Sequence, residues 1–336
     1  MNKILSAGFS ACLAAVLALA TPCAAQQPIV IKFSHVVARE TPKGKGAEKF
    51  AELAAKYSGG RVKVEVYPNS QLYKDKEELE AIRLGAVQML APTVAKFGPL
   101  GVKEFEVFDV PFMFPDMAAA GRVMYGPIGA KLMGLLEDKG IHGLAYWENG
   151  FNIMSANQPL RTPDDLRGLK MRIQSSKVIE AQMRALGVIP QVLALSEVYP
   201  ALATGVVDGT ENVPSNMYTQ RFFEVQKHVT LSFHGLIAYA VIVNKKFWDD
   251  LPADIRAQIE RAMKETTQYV NAIAQQDNDE AIAEMRKKGT STFHTLTPAE
   301  RAKFIAAIKP VYPQVANRVG KDLLDAVLRE VGAGMH

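Results

Sequence analysis

Hydrophobic positions along the chain follow two alternating rhythms. Short β-rich runs are separated by stretches whose apolar residues recur at helical spacing. Ile29 to Phe33 (IVIKF) reads as a buried strand, and Gly44 to Tyr57 groups Ala47, Phe50, Ala51, Leu53 and Ala54 on one helical face. Val62 to Tyr67 (VKVEVY) alternates as a half-buried strand does, and Pro68-Asn69-Ser70 then turns the chain. Lys74 to Leu84 predicts a charged amphipathic helix, and Val87 to Ala91 a third strand. This β-α-β-α-β order predicts a parallel sheet with helices on both faces.

The pattern then repeats. Gly143 to Trp147, Leu169 to Ile173 and Val206 to Asn212 read as strands, with a short strand offered at Val192 to Leu195. Helices are expected over Ser176 to Leu186 and Ser196 to Thr204. Leu236 to Val243 (LIAYAVIV) is an apolar strand long enough to cross between two lobes. From Pro252 to Lys288 no interior Gly or Pro breaks the pattern, so one helix of roughly 50 Å is predicted, stopped by Gly289. Thr297-Pro298-Ala299-Glu300 then carries a capping box and Pro at the first helical position, and Thr162-Pro163-Asp164-Asp165 reads similarly. The fold class expected is α/β. Two lobes are joined by strands, with the long helix lying across both and a hinge in place of a flexible linker. The boundaries drawn are 26–149 with 238–277 for the first lobe, and 150–237 with 278–336 for the second.

The amino terminus sets the compartment. Lys3 precedes an uncharged apolar run from Ile4 to Ala20, and Cys23-Ala24-Ala25 offers small residues for cleavage after Ala25. Residues 1–25 therefore read as a secretory signal, which implies a periplasmic protein. A membrane anchor and a lipoprotein site at Cys23 are the competing readings. The run is at the short end for a spanning helix, and Pro22 is ill-suited to a lipoprotein site. Both cysteines, Cys12 and Cys23, fall in this segment. The remaining chain can build no disulfide, thiolate metal site or cysteine nucleophile, so a large core must stabilise it. At 48% hydrophobic and 22% charged it has the composition of an ordinary soluble globular protein. A net charge of +4, spread without a basic stripe, gives no support to nucleic-acid binding and suits a small anionic ligand.

Catalytic signatures are sparse. The chain has no G-x-S-x-G elbow, no P-loop and no H-E-x-x-H, and its six histidines lack metal-ligand spacing. No cofactor or metal is expected. What remains is a set of polar groups at strand ends, where open α/β sheets collect ligands. Arg172 ends a partly buried strand. It needs a partner there, either an internal acid such as Asp208 or Glu211 or the carboxylate of a ligand. Asn212 ends a strand just before Pro214. Lys43 stands at a helix start that offers free N–H groups. Thr93 and Lys96 follow the third strand.

The segments FSHVVARETPKGKGAEKF, VEVYPNSQLY, VQMLAPTVAKFGPLGVKEFEVFDVPFMF, RTPDDLRGLKMRIQSSKV, GVVDGTENVPSNMYTQRFFEVQKH and AYAVIVNKKFWDDLP cover nearly all of the exported chain. In collinear order they resemble the solute-binding proteins of tripartite ATP-independent periplasmic (TRAP) transporters. TPKG and APTVAKFGPLG are similar to the C4-dicarboxylate-binding branch. The resemblance implies a two-lobed clamshell with a long helix under both lobes. It also implies a monomer that captures succinate, malate or fumarate without chemical turnover and delivers it to an inner-membrane TRAP permease. Arg172 of the MRIQ segment would hold a substrate carboxylate, with Asn212 at the same end. Many relatives place a second arginine where this chain has Asn152, so another cation must serve the distal carboxylate. Lys43 and Lys96 are the candidates, with Thr93, His35, Gln174 and Tyr239 as wall residues. The rival readings are a binder of a 2-oxo or aromatic acid, a periplasmic enzyme acting on a carboxylate, and a sensory role.

Overall fold

The computed structural model describes residues 27–332. The expected export segment and both cysteines lie outside the described residues. Two sheets organise the chain. The first has the order β2-β1-β3-β10-β4, built from β1 (Ile29–Ser34), β2 (Val62–Tyr67), β3 (Met89–Leu90), β4 (Ile141–Phe151) and β10 (Leu236–Asn244). The second has the order β11-β9-β5-β8-β6-β7. It is built from β5 (Ile153–Ala156), β6 (Lys170–Ile173), β7 (Ile189–Val192), β8 (Gly209–Asn212), β9 (His228–Leu231) and β11 (Thr292–Thr295).

Neither sheet is wholly parallel, which corrects the sequence expectation. β1 pairs in parallel with β2 and β3, but β10 runs antiparallel to both β3 and β4. In the second sheet β5 is antiparallel to β8 and β9. The cause is a ribbon shared by the sheets. Residues 141–156 run from the first sheet into the second, and residues 228–244 run back beside them. The crossing is stitched where Asn152 N donates to Gly235 O at 2.7 Å and His234 N to Asn152 O at 3.3 Å. The long apolar strand thus begins on the first-sheet side of the crossing, and residues 232–235 make the passage.

β10 explains itself by its composition. All nine of its residues are buried. Ile237, Tyr239, Val241 and Val243 face one core cluster, with Phe33, Phe50 and Trp147; Leu236, Ala238, Ala240 and Ile242 face another, with Phe97, Phe105 and Phe108. A strand covered on both faces needs apolar residues at every position. The expected strand at Val192 to Leu195 lies three residues earlier, as β7. There Pro190 is tolerated because β7 is an edge strand.

The long helix Ala253–Lys288 has 36 residues, about 54 Å of rise. Ile255, Ile259, Met263 and Val270 pack under the first sheet, and Met285 packs under the second. Asn278, buried midway, donates to Asn149 O at 2.6 Å and accepts from Ser215 N at 2.9 Å, so it ties the helix to both sides of the crossing. Gly150 passes close to it with φ +123°; a Cβ there would lie 2.8 Å from Asn278 Nδ2. Among the described residues no helix is long and apolar enough to span a membrane.

The carboxyl-terminal tail departs from its expected place in the second lobe. Phe304 and Ile308 do pack there. The helices Tyr312–Val319 and Lys321–Val331 instead direct Val315, Val319, Leu324, Val327 and Val331 into the core of the first. An amphipathic stripe of this kind has no preference for the nearer lobe; it packs where an apolar face is open.

Candidate functional site

The carboxyl ends of β6 and β8 and the loops after β1 and β3 meet at one narrow polar cavity. It is lined by Lys43, Asp75, Thr93, Lys96, Arg172, Gln174, Asn212, Asn216 and Tyr239 with a few apolar neighbours. The sheets supply opposite walls.

On the second-sheet wall, Arg172 sits in a strand whose neighbours Met171 and Ile173 are fully buried, and it is itself 2% exposed. Its Nε donates to Leu193 O at 3.0 Å. Neither acid considered from sequence pairs with it. Asp208 accepts from Lys170 N at 2.7 Å, and Glu211 is held by His234 Nε2 at 2.7 Å. Among the described residues Arg172 has no carboxylate at ion-pair distance. Burial lowers its pKa from the ordinary value, partly offset by the field of Asp75, Glu211 and Glu197. Beside it, Asn212 Oδ1 accepts from Val213 N and from Asn216 Nδ2, both at 2.9 Å. That fixes the amide and leaves its Nδ2 available to a ligand oxygen.

On the first-sheet wall, Thr41 caps the helix Pro42–Tyr57 by accepting from Gly44 N at 3.2 Å, with Pro42 at its first position. The chain folds back so tightly here that a Cβ on Gly44 would lie 2.4 Å from Arg39 O. This turn buries Lys43. Its Nζ donates to Ala91 O at 2.9 Å and lies 3.9 Å from the centre of the Tyr239 ring. It has no carboxylate at ion-pair distance among the described residues. Burial first, then the neighbouring Lys96, pulls its pKa down to about 7 against the opposing pull of Glu78 and Asp75. Tyr239 OH accepts from Asn149 Nδ2 at 2.7 Å, and burial raises its phenol pKa.

Lys96 is a different kind of lysine. Its ammonium contacts both Asp75 and Glu78, all three side chains nearly dry. Burial alone would lower its pKa, but the two carboxylates outweigh that and raise it. Three cations thus face two carboxylates around the cavity, and both carboxylates are committed to the same lysine.

Sequence reasoning missed Asp75, Glu78 and Asn216. Asp75 stands in the run KDKEELE, where the pattern predicts a solvated helical face. The helix starts only at Glu78, and Asp75 lies in the turn before it. Asp75 Oδ2 accepts from Leu195 N at 2.8 Å, in the opposite wall. Burial would raise this carboxyl's pKa, yet Lys96, Arg172 and its hydrogen bonds hold it well below the usual range. Two further contacts bridge the walls. Thr93 Oγ1 donates to Gln174 Oε1 at 2.7 Å, and Lys74 pairs with Glu197 at 3.2 Å.

Two residues singled out from sequence do not line the cavity. His35 is buried at the end of β1, and its pKa falls to about 3 through burial and then through Lys43, which leaves it neutral. Asn152, where a second arginine was considered, is buried in the ribbon crossing.

Two lobes closing on a charged cleft, bound by a two-stranded crossing and a shared helix, define a solute-binding protein. The chain belongs to family 7 of the bacterial extracellular solute-binding proteins, the DctP family, whose model matches residues 33–318. This is a family of transport-associated binding proteins, not of enzymes. The chain is 63% identical over 311 residues, 93% of each chain, to a C4-dicarboxylate-binding periplasmic protein of Rhodobacter capsulatus. It is similar in structure to a TRAP periplasmic solute-binding protein of Shewanella oneidensis with bound succinate, with a TM-score of 0.88 and 43% identity, covering 90% of this chain and 99% of that one. A counterpart from Pseudomonas aeruginosa with bound L-malate gives a TM-score of 0.83 and 41% identity, covering 85% and 100%.

Proposed function

We propose that the chain captures C4-dicarboxylates such as succinate, malate and fumarate in the periplasm and presents them to a TRAP permease. One observation carries the reading. On opposite walls of one cavity stand two buried cations, Arg172 and Lys43, and neither has a carboxylate partner among the described residues. A buried unpaired cation is costly, and a four-carbon diacid brings one carboxylate for each. Relatives named for the same solutes, and structures holding succinate and L-malate, support the choice of diacid.

In this reading Arg172 grips one carboxylate through its planar fork, and Asn212 donates to the same end. Lys43 serves the distal carboxylate. Lys96 does not, because its charge is already met by Asp75 and Glu78. Thr93, Gln174 and Tyr239 complete the wall. A diacid satisfies both cations only when the lobes meet, so its differential affinity favours the closed form. A monoacid leaves one cation unmatched.

A ligand screen by thermal shift and calorimetry tests this. At a hundredfold excess over Kd, a true ligand stabilises the folded protein by about 2.7 kcal/mol. Succinate, malate and fumarate are expected to raise the melting temperature, and matching monoacids are not. If only a 2-oxo or aromatic acid does so, the substrate assignment is wrong. Chemical change of the bound acid would instead restore the enzyme reading.

A further inference from the structure

We propose that Asp75 is an interlobe latch: a carboxylate of the first lobe caps a helix of the second and thereby sets how fast bound solute is released. The inference rests on the solute-binding reading given above.

The helix Leu195–Ala203 begins without a cap of its own. Its N-cap residue is Ala194, whose side chain has no oxygen to offer. Glu197 reaches back to Ala194 N at 3.1 Å, but Leu195 N donates instead to Asp75 Oδ2 at 2.8 Å. An acceptor for the first N–H of the helix is thus supplied from 120 residues away, across the cleft. A carboxylate suits a helix start, where free N–H groups and the helix dipole favour negative charge.

The other oxygen of Asp75 is held by Lys96, which Glu78 also holds, so the latch is anchored in its own lobe. On the far side it grips the cavity itself. Leu193, two residues before the bonded N–H, accepts from Arg172 Nε. A line of polar contacts therefore runs Lys96, Asp75, Leu195, with Arg172 tied to the same loop. The neighbouring Lys74–Glu197 pair also crosses the cleft, but both side chains are about half exposed, and such pairs contribute little. Asp75 is shielded from water, so its bond is the strong one of the two.

Contact between the lobes creates both the latch and the cavity. Whatever stabilises that contact also retains the solute, without touching it. Asp75 is in this sense a positioning residue, and its effect falls on dissociation more than on association.

The test uses protein purified from the periplasm, with Leu84→Cys and Val206→Cys as label sites. Both positions are exposed, one in each lobe, and the chain's own cysteines are Cys12 and Cys23. Pulsed electron-spin distances are measured with and without succinate, alongside stopped-flow release. Asp75→Asn keeps the side-chain shape and leaves Lys96 paired with Glu78. It is expected to deplete the short interlobe distance in both conditions and to speed succinate release about tenfold. The melting temperature without ligand should change little. Lys74→Met, which removes only the exposed pair and leaves Glu197 on Ala194 N, should leave distances and release as in wild type. Unchanged distances in Asp75→Asn overturn the latch. So does faster release with unchanged distances, since that would make Asp75 a ligand contact. If wild-type protein ignores succinate, the solute reading fails, and the distances without ligand decide the latch alone.

Discussion

The two lysines of the first-lobe wall are a natural comparison. Lys43 and Lys96 line the same cavity and are equally buried. Lys96 is matched by Asp75 and Glu78 and remains a fixed charge. Among the described residues Lys43 has only a carbonyl oxygen and an aromatic face, and its pKa is lowered to about 7. One lysine holds the wall together; the other is left in need of an anion. Buried charge alone does not mark a ligand site. The proposed ligand contacts are buried charges without a protein counter-ion among the described residues, and Arg172 meets that criterion on the facing wall.

Four expected outcomes break or sharpen this contrast. The largest concerns Arg172. Arg172→Ala should weaken succinate binding by at least about a hundredfold in calorimetry, with the unliganded melting curve nearly intact. A large fall in unliganded stability would mean that Arg172 serves the fold.

The lysines should then separate by readout. Lys43→Met is expected to weaken succinate by about thirtyfold while a monoacid of similar length loses little. Lys96→Met strands two buried carboxylates and should cost about 3 kcal/mol of stability in denaturant melts. Equal binding losses with equal stability would erase the distinction.

The third outcome is a pH dependence. Without ligand, Lys43 loses its proton as pH rises through about 7. A carboxylate beside it restores the charged form, so binding above that pH takes up a proton. Affinity for fully ionised succinate should therefore fall as pH rises from 7 to 9, approaching about tenfold per unit. Calorimetry in buffers of different ionisation enthalpy measures the uptake, and Lys43→Met should abolish it. The smallest effect is that of Thr93→Val, which removes the hydrogen bond to Gln174 and should weaken binding by a factor of about three.

Much of the architecture is legible from residue order. The long helix needs only an unbroken helical pattern and a terminal glycine, and β10 only its apolar run. Arg172 and Asn212 stand at strand ends, where the sheet geometry directs them to a cleft. Strand direction is not legible, because a period of two says nothing of the partner's orientation, and so the antiparallel ribbon was missed. Nor could the tail helices be assigned, since Leu324 and Val327 fit any open apolar surface. Asp75 was hidden for a related reason. Its burial comes from the opposite lobe, and no local pattern around KDKEELE carries that information.

The ribbon crossing has one more consequence. Gly150, Asn152, Gly235 and Asn278 cluster where the lobes join, away from the cavity. In the proposed closure this point is the fulcrum: it would travel least, and the cavity walls farthest. A small change in preferred backbone angle here is amplified along each arm into a wider or narrower mouth. The tightness of capture is thus inherited in part from residues that never meet the solute.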